Sequence, residues 1–364
     1  MKKIYFLLFV LVLCRQQILC AQKKLNVVIC GLSHDHVNRI LDKAKAGELN
    51  IIGIAEADQQ LANKKKAAFH LPDSLFYSNL AAALEKLHPD LVMVFDAPVN
   101  HLPAIEVALP YHIPVMVEKP LCASNEDAAR IELLSKKYNT QVFTNYPSHW
   151  YASFENFLRM AQTMGPISKM VMRGGHRGPA DIECSPDFQR WLTDSTKNGG
   201  GAIMDFGCYG AMIMTELMGG KLPISVFAVK QHLNAAVYPK ADDDATIILQ
   251  YPGATGVVQA SWAWPYTIMD AEAFSKDESL YASQFNDWGS GKPSLTSKRK
   301  DKGTTNEVLV PAKYIDEVAY LTAVLKKGAP ADNPLLSLER NVLVTKILIA
   351  ARQSSREGKV VMVK

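Results

Sequence analysis

The sequence predicts a two-part protein: an α/β domain with a doubly wound parallel sheet, then an α+β domain with a largely antiparallel open sheet. Three observations carry this. Short, wholly apolar runs alternate with helical segments as far as residue 145, the pattern of a parallel sheet covered on both faces. Beyond that point several strand-like segments gather, two of them joined by the turn signal Pro252-Gly253-Ala254. At 364 residues the chain is long enough to bury two cores.

Residues 1–21 read as a signal peptide. Lys2 and Lys3 precede an apolar run from Ile4 to Cys14, which is too short to span a bilayer. Leu19-Cys20-Ala21 offers a cleavage site, with Gln22 starting the mature chain, so export to the periplasm is expected. Gln17-Ile18-Leu19 makes a poor lipobox, which argues against a lipidated Cys20. Residues 22–145 form the first domain, with strands at Leu25–Cys30, Ile51–Ala55, Leu91–Phe95, Ile113–Val117 and Gln141–Thr144. Its helices run to about Ala46, to about His70, from Leu80 to His88, and through Leu109. Residues 146–364 form the second domain, opening with a helix from Trp150 to Met164. Its strands are expected at Met170–Gly174, Val226–His232, Thr246–Tyr251, Gly256–Trp262 and Lys359–Val363, and its closing helices at Ala312–Lys327 and Leu336–Arg356. Ser290 to Thr305 is polar and reads as a loop.

Composition, at 48% hydrophobic and 21% charged, is that of a globular chain. The net charge of +4 includes Lys2, Lys3 and Arg15, so the chain after residue 21 carries only +1. That removes the electrostatic case for nucleic acid or an anionic membrane as a partner. The run Lys298-Arg299-Lys300-Asp301-Lys302 is short and reads as a solvated loop. Cys30, Cys122, Cys184 and Cys208 show no disulfide framework and no Cys-x-x-Cys.

The first strand-to-helix turn is where a dinucleotide pyrophosphate would rest on backbone N–H groups in a Rossmann domain. Here the glycine motif is eroded to Gly31-Leu32-Ser33-His34-Asp35-His36, keeping only the glycine of the tight turn. Ser33 is small enough for close backbone approach. Glu56, ending the second strand, is placed to accept from both ribose hydroxyls of NAD and to repel the 2′-phosphate of NADP. His34 and His36 raise the question of a metal, but no third ligand is visible in the sequence and none is expected.

Two stretches carry the chemistry. Val117-Glu118-Lys119-Pro120 ends an apolar strand, so Lys119 faces the ligand crevice at the sheet's carboxyl edge; an ordinary surface lysine is the alternative. Gly199-Gly200-Gly201 leads to Asp205 and Tyr209, four residues apart and hence on one face of an apolar helix. A buried acid there is costly unless used or paired, and a structural Asp–Tyr hydrogen bond is the alternative. His176-Arg177 and the pair Trp262 and Trp264 are candidate substrate walls, the tryptophans serving equally well as packing.

With Glu118-Lys119-Pro120, the triple glycine, Asp205-x-Gly207-x-Tyr209, and His101 and Pro98 upstream, the chain resembles the family of glucose–fructose oxidoreductase, inositol dehydrogenase and MocA-like proteins. The resemblance runs from Leu25 to Lys364. It implies that Lys119, Asp205 and Tyr209 are catalytic, and that Glu118, Pro98, His101 and Lys119 lie on the cofactor side with Gly31, Leu32, Ser33, His34 and Glu56. Tyr209 stands where inositol-dehydrogenase-like members have histidine, which leans toward the glucose–fructose type. The eroded glycine motif departs from the pattern and puts the pyrophosphate contacts in doubt. The implied activity is NAD(H)-dependent hydride transfer at a sugar or polyol carbon, with tightly held cofactor. Some relatives are NAD-dependent glycosidases acting through transient oxidation, and a dinucleotide-binding sensor is a third reading. A homodimer or homotetramer through the second domain's sheet is expected. Tyr209 is expected as acid or base, its pKa of ~10 lowered by the Lys119 ammonium.

Overall fold

A computed structural model describes residues 24–283, 296–300, 303–306 and 308–363. The expected signal peptide lies outside the described residues. The first sheet has strands β1 (Asn26–Cys30), β2 (Asn50–Ala55), β3 (Phe76–Tyr77), β4 (Leu91–Val94), β5 (Val115–Glu118) and β6 (Val142–Asn145). Their order is β3-β2-β1-β4-β5-β6 and every pairing is parallel, the arrangement of a dinucleotide-binding domain. Between them run α1 (Val37–Lys45), α2 (Gln59–Phe69), α3 (Leu80–Leu84), α4 (His101–Ala108) and α5 (Asn125–Tyr138). β4, β5 and β6 are buried along their whole length, which is why each reads as an unbroken apolar run. Local signals fix the helix ends: Asp58 accepts from the N–H groups of Gln60 and Leu61 to start α2, and Ser124 accepts from Asp127 to start α5.

After β6 come α6 (Ala152–Ala161), β7 (Lys169–Gly175), α7 (Pro186–Leu192), α8 (Ser195–Asn198), α9 (Ala202–Asp205) and α10 (Gly207–Leu217). The second sheet continues with β8 (Ser225–Gln231), β9 (Asp244–Tyr251), β10 (Ala254–Ser261), β11 (Ile268–Phe274), β12 (Ser279–Ala282), β13 (Thr296–Lys300) and β14 (Gly303–Asn306). Helices α11 (Glu317–Lys327) and α12 (Leu338–Glu357) and strand β15 (Val361–Met362) close the chain. The order is β14-β13-β12-β11-β7-β10-β9-β8-β15, antiparallel except where β7 pairs with β10. The expected hairpin joins β9 to β10, with Gly253 at φ +76° in its turn.

Two expectations need correction. The polar stretch read as loop from Ser290 to Thr305 forms β13 and β14 over its described part. Lys298-Arg299-Lys300, read as solvated loop, lies in β13, where Lys298 and Lys300 both reach Glu278 at 3.7 Å and 3.4 Å. β14 is the edge strand and is exposed at every residue, and β13 pairs between it and β12, so β14 needed none of the apolar alternation that betrays a strand. The four cysteines that the structure describes are free.

Candidate active site

The carboxyl ends of β1, β4, β5 and β6 border one crevice, where the strand order reverses between β1 and β4. Gly31 turns the chain out of β1 at φ +78°. A Cβ there would lie 2.9 Å from Asp96 Cβ and 3.1 Å from the Phe95 carbonyl oxygen, so the surviving glycine is the one the turn demands. Glu56, just past β2, accepts from the Leu32 N–H at 2.9 Å with one oxygen and from the Asp58 N–H at 2.8 Å with the other. Burial pushes its carboxyl above its ordinary pKa. The Ser33 hydroxyl donates to Asp96 at 2.9 Å. A turn that only glycine closes, with an acid at the end of β2, fits a dinucleotide; Gly31, Leu32, Ser33 and Glu56 would hold it. Pro98 is buried in a short turn after β4.

His101 differs from its expected cofactor contact. It is fully buried, its ring nitrogens 3.0 Å and 3.2 Å from the carbonyl oxygens of Leu121 and Asp96. It ties the turn after β4 to the segment after β5 and has no free edge for a ligand.

The structure also supplies the third polar group that the sequence did not show beside His34 and His36. Their rings and the Glu118 carboxylate offer ligand atoms all within 4.8 Å of one another. Nδ1 of His34 accepts the His36 backbone N–H at 3.2 Å, which puts its proton on Nε2 and withdraws both nitrogens from a cation. His36 Nδ1 lies 3.1 Å from Glu118 Oε2, and Asn145 donates to the other carboxylate oxygen at 2.9 Å. Burial would raise the Glu118 carboxyl, but the flanking histidines and the Asn145 amide hold it well below the usual range. Burial keeps His34 neutral. Asn145 is a site residue that sequence reasoning missed; its signal was its place as the last residue of β6, paired with Glu118 across the sheet.

The chemical centre lies beside this triad. Lys119 follows β5 and is joined to Pro120 by a cis peptide bond. Its ammonium donates to an Asp205 carboxylate oxygen and, at 3.2 Å, to the Asp205 carbonyl. The two side chains are each only 7% exposed. Burial alone would discharge both, but each holds the other ionised: the Lys119 pKa lies above its ordinary value and that of Asp205 below. Trp262 Nε1 donates to the second Asp205 oxygen at 2.9 Å.

Here three expectations change. Trp262 is 1% exposed; it anchors Asp205 rather than forming a substrate wall. Asp205 and Tyr209 do not share one helix, because α9 ends at Asp205 and α10 begins at Gly207. The Asp205 carbonyl accepts from Lys119 and the Cys208 thiol, and the Tyr209 N–H goes to Phe206 instead. Tyr209, 2% exposed, has its pKa raised well above 10 by burial and by the neighbouring Cys208, Asp205 and Glu118. Lys119 lies 5.4 Å from the Tyr209 ring centroid, but its ammonium donates to Asp205 and the phenol stays protonated.

His176 joins this group. Its Nδ1 accepts from the Gly178 N–H at 2.9 Å, its ring meets Phe206 edge-on at 5.0 Å, and burial lowers its pKa to about 4. Arg177 is exposed and Trp264 half-buried, its indole N–H donating to the Gly174 carbonyl at 3.3 Å. The last of the three glycines is required by its surroundings: a Cβ on Gly201 would overlap the Asp242 carbonyl oxygen at 1.8 Å. Asp242 in turn caps α9, accepting from the N–H groups of Gly201 and Ile203. Arg39 on α1 pairs with Glu317 at 2.7 Å and Lys43 with Asp316 at 2.6 Å, tying the cofactor helix to the start of α11.

Residues 25–146 match the family described as "Oxidoreductase family, NAD-binding Rossmann fold", and residues 158–277 match the GFO/IDH/MocA C-terminal domain. The chain is 22% identical over 230 residues to trans-1,2-dihydrobenzene-1,2-diol dehydrogenase of Mus musculus, covering 63% of this chain and 65% of that protein. It is 23% identical over 162 residues to inositol 2-dehydrogenase of Corynebacterium glutamicum, covering 43% and 47%. The chain thus spans less than two thirds of the length of these relatives. Among solved structures, aldose–aldose oxidoreductase from Caulobacter crescentus, complexed with glycerol, superposes with a TM-score of 0.77 at 18% identity, covering 94% of this chain and 100% of that one.

Proposed function

The chain belongs to the GFO/IDH/MocA oxidoreductase family, and from that premise we propose that it interconverts an alcohol and a carbonyl on a sugar or polyol with NAD(H). The observation that carries this reading is the buried Lys119–Asp205 pair, ionised at the carboxyl edge of β5 beside the neutral phenol of Tyr209. NAD(H), when bound, supplies the acceptor or donor of the hydride. The Lys119 ammonium stabilises charge on the reacting oxygen. Asp205, held by Trp262, keeps that ammonium charged and in place. Tyr209 rests protonated, so the site at rest can deliver a proton to a developing alkoxide, the direction of carbonyl reduction. His176, neutral and beside Asp205, is placed to take a hydrogen bond from a second substrate hydroxyl.

The cofactor is NAD(H) rather than NADP(H), since the Glu56 carboxylate opposes a 2′-phosphate. The protein is exported and holds its dinucleotide as a prosthetic group, because a freely exchanging one would be lost outside the cell. The Arg39–Glu317 and Lys43–Asp316 pairs support that retention. A homo-oligomer forms through the outer face of the second sheet. There Val171, Val257, Ile248 and Phe227 line up in register across β7, β10, β9 and β8, with Val171 and Ile248 exposed.

One experiment tests the core of the reading. The purified protein is denatured with and without prior incubation with a panel of aldoses and polyols, and the released dinucleotide is identified. Stoichiometric NAD(H) whose redox state changes on incubation is expected. Release of none, with no reduction or oxidation of added NAD(H) by any compound, would overturn it.

A further inference from the structure

A cavity of about 260 Å3, whose wall includes neither Lys119 nor Asp205, opens between α6, the segment ahead of α11 and the segment ahead of α12. Aromatic rings of Trp150, Phe154 and Tyr314 form much of its wall, with Leu158, Pro334 and Leu335 completing it. The wall also contains His149, 4% exposed, whose imidazole is stacked between Tyr146 at 4.5 Å and Phe154 at 4.6 Å. Neither ring nitrogen has a hydrogen-bond partner among the described residues. Burial lowers the His149 pKa to about 3, so the ring is neutral and offers one donor and one acceptor. Unmatched polar atoms of this kind are rare in a packed interior, and a ring with both nitrogens unmatched calls for a partner.

The mouth narrows the choice of partner. Lys313, the only cation among its described lining residues, lies 3.6 Å from Asp332, and its backbone N–H donates to Glu155 at 3.0 Å. The charges there are one lysine against two carboxylates, which leaves no free cation for a phosphate or carboxylate ligand. The volume is below the ~300–1,000 Å3 of pockets for drug-sized ligands, so one ring fits and a dinucleotide does not. Aromatic faces suit the apolar face of a pyranose, while carboxylates and the neutral imidazole match its hydroxyls. We propose that this cavity is a second ligand site, for a neutral monosaccharide or cyclic polyol, with His149 as its polar anchor. The site shares one ring stack with the chemical centre, because the Tyr146 ring that covers His149 meets Tyr209 edge-on at 5.4 Å. It stands independently of the proposed hydride chemistry.

The test is calorimetric titration of D-glucose into the purified full-length protein and its variants, with glucose 6-phosphate as control. Lys119→Ala should keep the glucose affinity of this site within about twofold. Tyr314→Ala, which removes a wall, should weaken it at least tenfold. His149→Phe, which preserves the stack and removes both nitrogens, should weaken it several-fold, and it decides the matter if Tyr314→Ala does not fold. Glucose 6-phosphate should bind at least tenfold more weakly. Absence of glucose binding in Lys119→Ala, undiminished affinity in the cavity variants, or equal binding of the phosphate would each overturn the proposal. A protein that turns over no sugar yet shows this pattern would refute the proposed function and leave the cavity assignment standing.

Discussion

Replacing Lys119 by Met leaves the Asp205 carboxylate, 7% exposed, with the Trp262 N–H as its remaining side-chain donor. Removing one partner of a buried pair costs about 3–5 kcal/mol, because the survivor is a buried charge without its counterion. Asp205→Asn should cost a similar amount by stranding the ammonium. The double variant, Lys119→Met with Asp205→Asn, strands no charge. It should lose only the ~1–3 kcal/mol of an unmatched amide N–H, where additivity would demand about 6–10 kcal/mol. Activity should not follow stability: all three variants should lose ~10²-fold or more in kcat/KM, since the ammonium acts on the reacting oxygen. The pH dependence follows from the two shifts. Asp205, lowered on folding, contributes stability above its unfolded pKa of ~3.9 that is lost as pH falls through its folded value. Lys119, raised on folding, contributes stability below ~10.4 that is lost as pH rises through its folded value. Urea unfolding of the four proteins at pH 7, with hydride transfer measured in parallel, reads both effects. Additive stability losses, or activity recovering in the double variant, would refute the pair as a coupled, working unit.

The remaining expectations concern its neighbours. The dinucleotide-free protein should bind NAD at least several-fold tighter than NADP, and Glu56→Ala should narrow that ratio; fluorescence titration showing tighter NADP binding would reverse the assignment. Trp262→Phe should cost about 1–3 kcal/mol in unfolding and lower kcat, because the 2.9 Å bond to Asp205 is lost; an effect on KM alone would return Trp262 to the substrate wall. Tyr209 is protonated at rest, so the rate of carbonyl reduction should hold steady on the alkaline side until above pH 10. An apparent pKa near 7 that disappears in Tyr209→Phe would contradict that protonation state.

Legibility in the sequence tracked burial. The strands β1, β2, β4, β5 and β6 are packed on both faces, and each announced itself as an apolar run. β3 is two residues long and half-buried, and nothing in Phe76-Tyr77 distinguishes it from the loop around it. β11 was missed because its inward residues include Ala271 and Ala273, small side chains that carry little strand signal. At the site, the residue types of Lys119, Asp205 and Tyr209 were readable because they stand in motifs, but what they touch was not. Trp262 is 57 residues from Asp205 and Asn145 is 27 from Glu118, and no periodicity links such positions.

The Asp205–Tyr209 spacing shows how a sound local rule can fail at a working site. Four residues apart on an apolar stretch means one helical face when each carbonyl accepts from the N–H four residues on. Here the Asp205 carbonyl is taken by the Lys119 ammonium and the Cys208 thiol, from outside the ladder. The Tyr209 N–H then turns to Phe206 at 3.2 Å, and the helix restarts at Gly207. Lys119 comes from the other domain, 86 residues away. The break is therefore a product of the same contact that makes the site: a lysine from the parallel sheet holding both the side chain and the backbone of an acid in the second domain. Tyr209 thereby leaves the helical face of Asp205 and is buried against Phe206 and Tyr146; that burial, with Cys208, Asp205 and Glu118 nearby, is why its phenol resists ionisation.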